Sequence, residues 1–441
     1  MPSLARIVAY NALLEWTKSK GDPQIIINGL TRDIKKYEDA AFARELFFGS
    51  IKFLRKIDYY SSHYYLSKKL PPRLKQVIRL GFYQLIQAQN IPDYAVVSET
   101  VELAKTSCSA KQAGFVNAVM RNCIRDKTKI KMPDPNVEPV KFFGIEYSYP
   151  GWLVERYLKR YGFEQTRELL DWGNTPPKLC FFVNRRITSD SIIEQQLDDL
   201  KIGYQKLASF EGCYQCLNPG LLLKSELFNN GAIIIGDPAQ SLAARALHVP
   251  PGETALDLFA APGGKTAALS AMVGVAGRVI AGDFSVDRLN VMKNNINRWQ
   301  LGNVFLFGND ALKFASRESF KYILADVPCS GTGTIRRNPD LRWKLTAEDI
   351  GLQASKQIKL LTAAVDILKP GGRIVYSTCS LEPEENSRII DRFLKQNRYF
   401  RLIDVDEFDE FKIQSGMYEV SPLKHHADGA FIAVMEKIRT L

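Results

Sequence analysis

Along the first third of the chain, apolar residues recur at three- and four-residue spacing over 5–16, 40–65, 72–89, 94–106 and 111–125. This pattern predicts five amphipathic helices. Pro71-Pro72 and Ile91-Pro92 punctuate them. Lys131-Met132-Pro133-Asp134-Pro135-Asn136 has two prolines and no periodicity, so residues 132–136 read as a linker closing an all-helical domain, 1–131. Residues 137–236 are mixed. Helical patterns run over 150–161, 163–172 and 189–200, with strand-like runs at 178–184 and 232–235 and short strands near Tyr204 and Cys216, which predicts a small α+β subdomain. From 237 to 441, apolar runs at 254–259, 278–281, 304–307, 322–325 and 373–377 are mostly separated by helical stretches. That alternation predicts an α/β domain with a parallel sheet covered on both faces. The last two runs, 399–403 and 430–435, have no clear helix between them and predict an antiparallel edge.

Composition changes this picture in one respect. Of 59 Lys and Arg and 48 Asp and Glu, residues 1–131 hold 22 and 11, so the whole net charge of +11 sits in the helical third. A segment so polarised fits a polyanionic partner, nucleic acid before an acidic membrane surface, and fits a lysine-rich solvated face equally well on charge alone. No apolar run approaches the roughly 20 residues of a spanning helix, and residues 1–20 read as an amphipathic helix rather than a signal peptide. Seven scattered cysteines fit free thiols in a reducing cytoplasm.

Leu256-Asp257-Leu258-Phe259-Ala260-Ala261-Pro262-Gly263-Gly264-Lys265-Thr266 runs from a strand through a glycine turn into a helix. Such a turn brings backbone N–H groups close to a ligand. It is neither the dinucleotide fingerprint nor a P-loop. A compact turn without a pyrophosphate cradle suits the methionine part of S-adenosylmethionine. Asp283 ends the next strand, where an acid can bind ribose hydroxyls, and Asp310 follows the third, where it can accept from the adenine amino group. Either aspartate alone could be ordinary turn chemistry. The three features in order, at successive strand ends, outweigh the reading of a generic nucleotide-binding sheet.

Asp326-Val327-Pro328-Cys329-Ser330-Gly331-Thr332-Gly333 follows the fourth strand, and Ser377-Thr378-Cys379-Ser380 the fifth. If those strands are neighbours, both thiols stand at the carboxyl edge of the sheet, where ligands of such folds bind. A single buried cysteine is usually inert packing. Two at adjacent strand ends beside a cofactor turn fit nucleophilic catalysis, since a thiolate adding to C6 of cytosine makes C5 reactive toward an electrophilic methyl group. Asp326 is placed to assist at N3.

With Ile335-Arg336-Arg337-Asn338-Pro339-Asp340-Leu341-Arg342-Trp343 and Asp428-Gly429-Ala430-Phe431, these motifs resemble the bacterial ribosomal RNA cytosine-C5 methyltransferases of the NOL/NOP/Sun family, end to end. The resemblance implies a Rossmann-like methyltransferase sheet preceded by the α+β subdomain and a NusB-like RNA-binding domain. It also implies Cys379 as nucleophile, Cys329 as the residue that helps release the product, and Phe259, Ala260, Ala261, Pro262, Gly263, Gly264, Lys265, Asp283, Asp310 and Asp326 around S-adenosylmethionine. Phe259 departs from the family, where a smaller residue stands. The implied partner is RNA, 16S ribosomal RNA first and transfer RNA second. A non-catalytic assembly factor is disfavoured by the intact cysteines and cofactor turn. Arg336, Arg337 and Arg342, beside a base-modifying site, are expected to hold phosphates. Cys213-Tyr214-Gln215-Cys216 has the spacing of half a zinc site but no second pair to complete it, so no metal is expected.

Overall fold

The computed structural model describes residues 2–66, 69–88, 91–308, 310–313 and 319–438. It divides into two compact units: Met1–Thr175 with Asn338–Thr346, and Pro176–Arg337 with Ala347–Leu441.

The first unit is helical. Helices Leu4–Ser19, Tyr37–Lys52, Leu54–Ser62, Pro72–Ile86, Asp93–Ser107 and Ala110–Asp126 follow the apolar periodicity and bury Leu13, Phe47, Val77, Phe82, Leu103 and Met120. The run at 40–65 is two helices broken at Phe53. Helix Pro23–Thr31 escaped the pattern because its apolar core is short. Its start signal is chemical: Asp22 accepts from the backbone N–H of Gln24 and Ile25, with Pro23 in the first turn. Gln89, where the third predicted helix ends, lies outside the described residues.

This compact unit continues past residues 132–136. Helices Pro139–Glu146 and Gly151–Trp172 belong to it. Ser148 Oγ accepts from the Arg55 backbone N–H at 3.0 Å, Arg55 Nη1 donates to the Tyr149 carbonyl at 2.8 Å, and Lys52 Nζ to that of Asn174 at 3.1 Å. A proline-rich stretch interrupts periodicity, but it does not prevent the chain from packing back.

Arg342 also lies in this unit, fully buried, and corrects a sequence expectation. Its guanidinium sits 3.9 Å over the Tyr149 ring and donates to Asn174 Oδ1 at 3.0 Å and to the carbonyls of Ser148 and Gly173 at 3.2 and 3.3 Å. A group so enclosed ties backbone carbonyls together and has no face left for a phosphate.

The second unit carries two sheets. Strands β1 (Cys180–Val183), β2 (Tyr204–Lys206), β3 (Cys213–Cys216) and β4 (Ile233–Ile235) form an antiparallel sheet in the order β2-β3-β1-β4. Cys213 and Cys216 are three apart on β3, so they project to opposite faces and join different apolar clusters. They cannot act as a chelating pair.

Strands β5 (Thr254–Asp257), β6 (Arg278–Asp283), β7 (Val304–Gly308), β8 (Phe320–Asp326) and β9 (Leu368–Thr378) are parallel in the order β7-β6-β5-β8-β9. The antiparallel edge is larger than predicted: β10 (Phe400–Leu402), β11 (Lys412–Gln414), β12 (Met417–Val420) and β13 (Ala430–Lys437), with β13 joined to β9 and β10 paired to β13. Successive strand residues serve opposite faces. Leu324 and Val375 pack in one cluster, Ile323, Ile374 and Tyr376 in the other. Strand order reverses between β5 and β8, and the carboxyl edge there is where such sheets bind ligands.

Candidate active site

The β8–β9 register builds the site. Asp326 pairs with Ser377 in parallel, and the Val327 N–H donates to the Ser377 carbonyl at 3.0 Å. The two loops therefore leave the sheet level with each other, Cys329 three residues on from Asp326 and Cys379 two residues on from Ser377. Their Sγ atoms stand 3.2 Å apart as free, part-buried thiols. Cys329 is held well above the ordinary thiol range, first by its hydrogen bond with Cys379, then by burial and by the charges of Cys379, Glu385 and Asp326.

Asp326 is fixed from two sides: Lys265 Nζ donates to Oδ2 at 2.7 Å and Ser377 Oγ to Oδ1 at 2.6 Å. Burial acts to lower Lys265, but Asp326, with smaller contributions from Cys379 and Asp257, raises it above its usual value. Asp257, at the end of β5, is buried. Thr266 Oγ1 donates to its Oδ2 at 2.7 Å, while Oδ1 has no partner among the described residues. Burial pushes this carboxyl up to about 7, against the Thr266 hydrogen bond.

A cavity of ≈ 540 Å³ gathers Phe259, Asp283, Asp310, Asp326, Cys329 and Cys379 on its walls, with Arg288, Lys356 and Leu360. Residues from five different strand ends thus meet at one place. The remaining turn residues are placed differently. Ala260 and Ala261 are buried in an apolar cluster with Met292 and Trp299. Gly263 takes φ 110°, and a Cβ there would come within 3.3 Å of Trp299 and Met292. Pro262 is exposed. Gly264 lines a second cavity, of ≈ 660 Å³, rather than the one holding the thiols. Asp283 accepts from the N–H groups of Ala261 and Ser285 at 3.2 and 3.0 Å, so it also anchors the turn.

Arg336 and Arg337 are not phosphate ligands here. Arg336 is buried, 4.0 Å from Asp428, and Arg337 bridges Asp237 and Asp428 at 2.7 and 2.6 Å. Their place after the cysteine motif favours phosphate contacts in the sequence, and nothing there sets two distant aspartates against them.

Sequence reasoning missed Glu385. This fully buried carboxylate accepts from the Ser330 N–H at 2.9 Å, from Gln357 Nε2 at 3.1 Å, and from the hydroxyls of both Ser330 and Ser380. The available signal was the doublet Cys-Ser, present at both cysteines. Gly429 has a structural task that its motif did not reveal. Its N–H donates to the Gly333 carbonyl at 2.9 Å, and the Gly333 N–H donates to that of Cys379 at 3.0 Å.

The 16S rRNA methyltransferase RsmB/F family model matches residues 244–436, the NusB family model 3–125, and the ferredoxin-like domain of RsmF/B-like methyltransferases 149–215. A probable ribosomal RNA small subunit methyltransferase B of Synechocystis is 31% identical over 90% of this chain and 91% of its own length. The chain belongs to the ribosomal RNA small subunit methyltransferase B family. A Bacillus subtilis member is 29% identical over 98% of both chains. Among solved structures, a methyltransferase homologue from Pyrococcus horikoshii is 28% identical over 69% of this chain and all of its own, with a TM-score of 0.60. The structure of PH0851, 24% identical, covers 99% of both chains at a TM-score of 0.83, a likeness of fold. The family's Rossmann-type sheet and helical NusB-like region are both present.

Proposed function

We propose that the chain transfers a methyl group from S-adenosylmethionine to C5 of a cytosine in small-subunit ribosomal RNA through a covalent Cys379–C6 adduct. The observation that carries this reading is the pair of free thiols 3.2 Å apart on the wall of the cavity that also holds Asp283 and Asp310.

The cavity's residues fit the cofactor: two carboxylates at successive strand ends suit ribose and adenine, and Phe259 offers a flat apolar wall. S-adenosylmethionine would supply an electrophilic methyl group there. Cys379 Sγ adds to C6, and the electrons of the C5–C6 double bond make C5 nucleophilic. Asp326 already accepts from Lys265 and Ser377, so it acts as an acceptor, which matches the cytosine amino group rather than unprotonated N3. Cys329 rests protonated. It gives its own proton to water and, as a thiolate, takes the C5 proton; the C5–C6 double bond re-forms, and the C6–S bond breaks with its electron pair returning to Cys379 as the thiolate that first added. A base must leave its stack to reach a thiol at a sheet edge, so a loop or single strand is the expected substrate.

The ribosomal RNA assignment follows the relatives' names; transfer RNA is the competing substrate. Bisulfite sequencing of total RNA from cells with and without this protein tests both. Loss of one protected cytosine in small-subunit ribosomal RNA is expected, whereas loss confined to transfer RNA would overturn the assignment.

A further inference from the structure

The two cysteine loops are not held together by backbone pairing alone. Ser330 follows Cys329 and Ser380 follows Cys379, and the two hydroxyls lie 3.1 Å apart, both donating to Glu385 Oε2. Oε1 takes the Ser330 N–H and the Gln357 side chain, whose Nε2 also donates to the Pro328 carbonyl at 3.0 Å. Tyr376 on β9 donates its hydroxyl to the Glu385 backbone carbonyl at 2.7 Å. Asn386 accepts from Thr378 Oγ1 at 2.6 Å and donates to the Ser380 carbonyl at 2.8 Å. A fully buried carboxylate is costly unless hydrogen bonds replace the water it gave up. Here it bonds to both cysteine loops, beside the direct bonds of Thr332 Oγ1 with Ser380 Oγ and the Leu381 N–H and of the Gly333 N–H with the Cys379 carbonyl, and its pattern is acceptor-only, as for the ionised form.

We propose that Glu385 is a positioning residue for the thiol pair: it clamps the Cys329 loop to the Cys379 loop. This deepens the covalent reading above and rests on it. The clamp sets the thiol–thiol distance through the serine that follows each cysteine. The charge works separately, by disfavouring a second negative charge on Cys329. The titratable groups facing Cys329 are Cys379, Glu385, Asp326 and Tyr376, with Lys265 bound to Asp326 and Lys356 on the same cavity wall. Glu385 and Asp326 are the carboxylates among them, and Asp326 is already neutralised by Lys265.

The test uses the full chain and a small-subunit ribosomal RNA fragment, with single-turnover reactions quenched into denaturing gels, so that adduct formation and adduct release are read separately as pH varies. Glu385→Gln is isosteric and can keep the hydrogen bonds, its amide N–H₂ turning to the serine hydroxyls. Adduct formation should persist, while the release profile, governed by Cys329, moves to lower pH. Ser380→Ala keeps the charge but cuts the clamp. Adduct formation should fall roughly ten- to a hundredfold, without a shift in the release profile. Wild-type rates and profile in Glu385→Gln would overturn the charge role, and wild-type rates in Ser380→Ala would overturn the clamp. If Glu385→Gln does not fold, Ser380→Ala decides the proposal by itself, and wild-type adduct formation there would overturn it. If neither the wild type nor Cys329→Ala forms an adduct, the covalent reading itself has failed, which is distinguishable from failure of the clamp.

Discussion

Cys329 and Cys379 are fifty residues apart in sequence, and their sulfurs are 3.2 Å apart in the fold because Asp326 and Ser377 are parallel partners on neighbouring strands. The two thiols share a cavity but not an environment. Cys329 is raised first by its hydrogen bond with Cys379, then by burial and by the nearby charges, so it starts protonated, as a residue that acts second should.

That asymmetry separates the two alanine variants. Cys379→Ala should be inactive and form no adduct with RNA. Cys329→Ala should still attack and transfer the methyl group but remain bonded to its product, giving a slower, nuclease-sensitive band in a denaturing gel. An adduct in Cys379→Ala instead would exchange the two roles.

Asp283 both faces the cavity and holds the turn through the Ala261 and Ser285 N–H groups. Asp283→Ala should weaken S-adenosylmethionine binding by about 1–3 kcal/mol, the cost of removing a charged hydrogen bond. Titration calorimetry measures this directly. Equal affinity in the variant would remove Asp283 from the cofactor site.

The basic excess of the helical unit predicts salt-sensitive RNA binding. Lys35, Lys36, Lys111 and Arg121 are exposed. Changing all four to Gln should weaken RNA binding and flatten the dependence of log affinity on log salt, by about 0.7 for each single-stranded phosphate that is no longer neutralised. Fluorescence anisotropy at several salt concentrations checks it. An unchanged slope would make these charges a solubility feature.

Asp257 predicts a pH effect on stability. Its carboxyl is raised to about 7 in the folded chain, so between about pH 4 and 7 the native state holds a proton that the unfolded state has released. Stability should fall as pH rises through that window and level off above it. Asp257→Asn lacks the ionisation. Its melting temperature relative to wild type should therefore climb from pH 4 to 7, and a constant difference across that range would show that Asp257 does not titrate there.

Most of the architecture could be read from pattern because the pattern is what burial requires. A helix with one dry face repeats every three to four residues, and a parallel strand covered on both sides is an unbroken apolar run. The strand ends carrying Asp283, Asp310, Asp326 and the two cysteines followed from the same alternation, since each loop begins where an apolar run stops. Tertiary structure decided what depends on partners distant in sequence. Residues 139–175 join the first compact unit, where Arg55 reaches the Tyr149 carbonyl and Lys52 that of Asn174, despite a proline-rich break before them. Arg336, Arg337 and Arg342 look like phosphate ligands in a row, yet each is engaged by groups far away in sequence, 100 residues for Arg337 and Asp237 and 194 for Arg342 and Ser148. Glu385 has no periodicity and no motif spacing. Its role exists only where the parallel register brings Ser330 and Ser380 within hydrogen-bonding reach of one carboxylate. Local sequence sets which face of an element is dry; a buried charge is decided by the partners the fold brings to it.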